Sequence, residues 1–166
     1  MTKRLLLLGF ASLTVISMAS WPGSASAQSV CEPFDVVSNQ DLISFVDHQD
    51  EGVTPGDMRI LRWQISDLDG VPVAEFHVTT TVMHSDVEDA HPVSSDGTMV
   101  FDEGTLRVST FIPLRDPSDT TASSVSALEW SVIGGTGVFS HASGTMTTTP
   151  NGQGVYDHAF EIHCPG

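Results

Sequence analysis

Glu75 and His77 stand two residues apart in the stretch VAEFHV. In an extended chain, side chains two apart project from the same face, so a carboxylate and an imidazole meet here as a general acid–base pair. The stretch also supports a second reading. Val73, Thr79, Thr81 and Met83 share the face of that pair, while Ala74, Phe76, Val78 and Val82 share the other. If the apolar set lines an interior, Glu75 and His77 form a solvated outer surface. If it does not, they sit inside a cavity or at its mouth.

Three more charged residues belong with them. Glu129 shares a face with Ser131 and Ile133, opposite Trp130 and Val132. It either ties down a turn or an arginine, or serves as a catalytic carboxylate. Arg62 and Arg107 lie within strand-like runs. Each either pairs with a carboxylate or holds a substrate carboxylate or enolate through its two-pronged guanidinium.

Other chemistries are poorly supported. His84, Asp86, Glu88, Asp89 and His91 are metal-ligand types, but their spacing fits neither a two-histidine helical zinc motif nor a calcium-binding EF-hand loop. A solvated acidic loop is expected, with no metal. No G-x-S-x-G nucleophile elbow is present. The glycine cluster Gly134-Gly135-Thr136-Gly137 resembles a phosphate cradle only at first sight. A dinucleotide loop needs a third glycine where Ser140 stands, with a helix after it, and a P-loop needs a lysine. The cluster reads instead as a strand-to-strand corner with close backbone approach. No cofactor motif is found, and none is expected.

The elements that must position these residues are strands. RILRWQIS (59–66), VPVAEFHVTTTVM (71–83), TMVFDEGTLRVSTFIPL (98–114), ALEWSVI (127–133), GTMTTTP (144–150) and GVYDHAFEIHC (154–164) are rich in β-branched and aromatic residues. Asp69-Gly70, Asp96-Gly97 and Asn151-Gly152 are hairpin-turn signals, and Gly104 marks a bulge or bend. Residues 84–96 and 116–126 read as surface loops. Short strands with frequent turns indicate an antiparallel sandwich or barrel.

Residues 1–27 carry Lys3 and Arg4, an apolar run from Leu5 to Met18, and the closing Ala25-Ser26-Ala27. This is the pattern of a secretory signal peptide, too short to span a bilayer. Cleavage near Ala27 is expected to leave a single domain, residues 28–166, secreted or periplasmic. That domain carries four arginines and no lysine against 21 acidic residues, a formal charge of −17. Such a surface repels phosphate backbones and anionic lipids, so nucleic-acid and membrane partners are not expected. Cys31 and Cys164 lie at its two ends. A disulfide between them closes nearly the whole chain and is worth about 4–5 kcal/mol in the chain-entropy model; two free thiols are the other reading.

The run Ile133-Gly134-Gly135-Thr136-Gly137-Val138-Phe139, followed by Ala142-Ser143-Gly144, resembles the signature of the allene oxide cyclase-like and dirigent-like barrel superfamily. Gly56-Asp57 ahead of the second strand and the DGTM…GTL pattern at 96–106 match the same family, and the resemblance spans about residues 42–163. It implies an all-β, calycin-like fold: an eight-stranded antiparallel barrel with little helix, often a homotrimer and otherwise expected as a homodimer. It also implies an apolar cavity, for which Trp63, Phe76, Phe101, Trp130 and Phe139 are the candidate lining. Barrels of this kind select one conformer of a small, apolar, reactive molecule and direct its cyclisation or stereochemistry, acting as cofactor-independent isomerases or cyclases. Aligned on the glycine turn, the family glutamate falls on Glu129. The dirigent arginine and aspartate positions fall on Leu128 and Val125, and the plant cyclases' glutamate-asparagine-proline has no counterpart. A non-catalytic barrel that binds a hydrophobic ligand is therefore the alternative function.

Overall fold

A strand whose apolar residues recur at every second position has one face to bury, and this sequence contains such strands from end to end. The computed structural model describes residues 32–48, 54–85, 91–114, 127–152 and 154–165. Among these are β1 (Phe34–Val46), β2 (Met58–Ser66), β3 (Pro72–Val82), β4 (His91–Phe101), β5 (Gly104–Leu114), β6 (Leu128–Gly135), β7 (Ser143–Pro150) and β8 (Val155–His163). One 3-10 turn, Gly137–Phe139, follows β6. The expected signal peptide, Cys31 and the loop at 116–126 lie outside the described residues.

Each strand pairs antiparallel with the next, and β8 pairs with β1 to close the barrel, with Phe34 opposite Phe160 and Val36 opposite His158. The fold is the expected eight-stranded antiparallel barrel. Alternation decides what faces inward. Ala74, Phe76, Val78 and Val82 of β3 are buried, as are Tyr156, His158, Phe160 and Ile162 of β8.

Two sequence-level expectations are corrected. Asp96-Gly97 is not a turn: both residues lie within β4, which begins at His91 inside the expected 84–96 loop. Gly97 faces inward beneath Phe76, and a β-carbon there would collide with the phenyl ring. Its small size makes room for a large neighbour rather than supplying a bend. The β4–β5 hairpin turns at Asp102-Glu103, with Phe101 paired to Gly104. β1 runs without a break through its polar middle, with a bulge between Gln40 and Leu42.

The glycine cluster is the corner expected. Thr136 donates its N–H to the carbonyl of Thr105 at 2.9 Å, and its hydroxyl accepts from the Thr105 N–H at 3.1 Å. Gly137 has φ +61°, and a β-carbon on it would run into the carbonyl of Glu103. Phe139, at the end of this turn, is fully buried.

Candidate functional site

The two ends of the barrel differ. At the end formed by the β2–β3, β4–β5 and β6–β7 connections, phenylalanines fill the interior. Phe34 stacks on Phe160 at 4.4 Å and meets Phe101 edge-on at 6.3 Å, and Phe101 lies 5.0 Å from Phe139. This packing is a plug. Phe101 and Phe139, expected to line a cavity, therefore belong to the closed end.

At the opposite end, where the β1–β2, β3–β4, β5–β6 and β7–β8 connections lie partly outside the described residues, the inward rows of the described strands run out to a rim. Register carries the inward face from buried Val78 to Leu61 and on to Ile43, and from buried Ser95 through Thr80 and Arg59 to Phe45. Ile43 is 52% exposed and Phe45 48%, although both belong to rows that are buried deeper in the barrel. Leu61, Thr80, Thr110 and Leu128 around the same rim are half-buried. The β5–β6 ladder ends at Ser109 and Ser131, before this rim is reached. The rim is braced by Asp57, which is completely buried. Its carboxylate accepts the backbone N–H of His48 at 3.0 Å and of Thr54 at 2.7 Å. Those two donors, His48 first, hold its pKa below the ordinary aspartate value.

Below the rim lies an aromatic floor. Trp63 stacks on Tyr156 at 4.9 Å and meets Phe76 edge-on at 5.3 Å; Trp130 lies 5.9 Å from Phe76. His158 stands among them, 5.8 Å from the Trp63 ring. Its Nε2 is 2.7 Å from the Ser38 hydroxyl and its Nδ1 2.9 Å from the Thr148 hydroxyl. Burial pushes the imidazole down to about 4, with Asp157 opposing weakly, so it is neutral at ordinary pH. Burial likewise raises Tyr156. The Ser38–His158 spacing is that of a nucleophile and its base. However, both residues are buried and the base is weakened, so the trio acts as a satisfied neutral network.

None of the five charged candidates enters this interior. Glu75 and His77 do pair, at 3.2 Å, but both are about half exposed on the outer face of β3. Arg62 pairs with Asp41 on the outer face of β2, and Arg107 and Glu129 are exposed on β5 and β6. An acid–base site inside the barrel built from these residues is thus corrected: the apolar parity of β3 takes the interior and sends Glu75 and His77 out. Trp63, Phe76 and Trp130 are placed inside as expected. His158, Ser38, Thr148 and Tyr156 were missed. The signal for His158 was its position in YDHAFEI, where it shares parity with Tyr156, Phe160 and Ile162. Elsewhere, a groove of about 300 Å³ runs along the outer face of β1, β8 and β7, lined by Asp35, Leu68, Thr147 and Asp157 among others. Among the described residues no cluster of three or more metal-ligating side chains occurs.

No family model and no curated relative matches the sequence. Solved structures do match the fold. A pyocyanin demethylase superimposes with a TM-score of 0.64 at 18% identity, covering 78% of this chain and 98% of that one. The Diels-Alderase AbmU from Streptomyces koyangensis gives 0.60 at 14% identity, covering 76% of this chain and 62% of that one. The pterocarpan synthase dirigent protein PsPTS1 gives 0.56 at 16% identity, covering 81% of this chain and 96% of that one. The closed eight-strand meander of this chain is thus a barrel fold that it shares with these solved structures, a Diels-Alderase and a dirigent protein among them.

Proposed function

We propose that this protein is a cofactor-independent cyclase-type barrel. It admits a small, apolar, conjugated molecule at the open end and holds it in the conformer that closes a ring. The observation that carries this reading is the exposure of inward-facing Ile43 and Phe45 above a neutral aromatic floor, opposite a phenylalanine plug. Conformer selection in a dry cavity lowers a cyclisation barrier by several kcal/mol without a charged catalyst. Diels-Alderases and dirigent proteins among the structural neighbours support the same class. We further expect export after cleavage near Ala27, with Cys31 bridged to Cys164.

Native mass spectrometry of protein purified from its own source tests this reading, followed by chromatography of any ligand before and after incubation with fresh protein. A bound molecule recovered with a new ring or a single configuration supports the cyclase. Recovery of an unchanged ligand favours the second reading, a hydrophobic-ligand carrier. That reading draws on one observation: the inner imidazole is already fully hydrogen-bonded by Ser38 and Thr148.

A further inference from the structure

Trp63 and Trp130 flank one phenyl ring, that of Phe76, on the inner wall. They are only 7% and 3% exposed, and neither indole N–H has a hydrogen-bond partner. An indole nitrogen can only donate, and a buried donor without an acceptor costs about 1–3 kcal/mol. The neighbouring inner polar groups are satisfied: His158 by Ser38 and Thr148, and Thr80 by Ser95 at 2.9 Å. Among the described residues the deficit at this level of the barrel thus falls on two donors, both on inward-facing rows below the rim that carries Ile43 and Phe45. What the two indoles lack is an acceptor within hydrogen-bonding reach. Among the described residues the wall beside them is apolar or carries neutral groups, and the inward-row cation Arg59 stands nearer the rim, four positions before Trp63.

We propose, resting on the reading that the barrel takes a small molecule at its open end, that this ligand is a neutral carbonyl compound whose oxygen accepts a hydrogen bond from Trp63 or Trp130. Ketones, enones and dicarbonyls belong to this class; plain hydrocarbons, amines and carboxylates do not. Neither nitrogen touches solvent in the present arrangement. The ligand therefore reaches it by turning an indole about its side-chain torsions, and the hydrogen bond gained offsets that movement. A carbonyl polarised by such a donor withdraws electrons from an attached double bond, which suits a conjugated substrate in ring closure.

The test uses the uniformly 15N-labelled full chain and two probes of one shape, 1-tetralone and tetralin, which differ by a single carbonyl oxygen. The chain has three tryptophans, including Trp21, and W63F and W130F assign the two interior indole signals. The expected result is a downfield shift of the Trp63 or Trp130 indole proton with tetralone and not with tetralin, together with about tenfold tighter binding of tetralone. Replacing the responding tryptophan by phenylalanine removes that preference. Equal binding of the two probes with unmoved indole protons overturns the carbonyl inference and leaves the small-molecule reading intact. Binding of neither probe overturns both. The comparison on the unsubstituted chain decides the matter even if a variant does not fold.

Discussion

His158 Nε2 lies 2.7 Å from the hydroxyl of Ser38, 120 positions earlier in the chain and across the seam where the barrel closes. The imidazole is neutral because burial lowers its pKa from 6.5 to about 4. Between those values the unfolded chain binds a proton that the folded chain does not, so stability is complete above about pH 6.5. It falls by roughly 3 kcal/mol as pH drops toward 4. Urea denaturation at several pH values should show this loss, and H158F should flatten it. H158F should also cost roughly 2–4 kcal/mol at neutral pH, because two hydroxyls lose their partner.

The glycine corner gives a paired comparison. Gly137 (φ +61°) has the Gly104 α-carbon 3.0 Å from where its β-carbon would lie, besides the Glu103 carbonyl. Gly70 (φ +82°) has nothing within 4 Å. G70A should cost about 1 kcal/mol for backbone strain alone, and G137A at least about 3 kcal/mol, read from denaturation midpoints. Equal costs would mean that the corner opens without penalty.

Asp57 should matter in acid. Its folded pKa is depressed, so its contribution is present above the ordinary aspartate value of 3.8 and is lost as pH falls below it. D57N should melt at a lower temperature than the unsubstituted protein at pH 7, with the gap narrowing near pH 3. Faster amide exchange at His48 and Thr54 in D57N would show that the brace at the rim has loosened.

The outer charges should be dispensable. E75Q, H77Q, R62Q, R107Q and E129Q are each expected to change stability by no more than about 0.5 kcal/mol, because solvent screens such exposed groups. Ligand affinity, measured calorimetrically, should stay within about twofold. Loss of turnover in E75Q or H77Q with binding intact would move the reacting centre to the outer wall and remove the interior site.

Much of the barrel was legible because its signals are local. In VAEFHV a period of two separates Phe76 from Glu75 without any tertiary knowledge, and GGTG needs only its own backbone to declare a corner. What was illegible depended on partners distant in sequence. Gly97 reads as a turn until Phe76 is placed over it. His158 reads as one of seven histidines until β8 is paired with β1 and its ring meets Ser38. Ile43 and Phe45 follow the polar run Ser38-Asn39-Gln40-Asp41, and only the bulge there aligns them with the inward rows.

The seam between β1 and β8 has a consequence for how the chain is made. A polypeptide ending before Val155 has β1 and β7 as two open sheet edges, each lined with unpaired N–H and C=O groups and each able to pair with another molecule. Synthesis of the last strand removes both edges at once, because β8 fits between them. The finished barrel therefore resists edge-to-edge aggregation, whereas a chain truncated by even one strand should be insoluble.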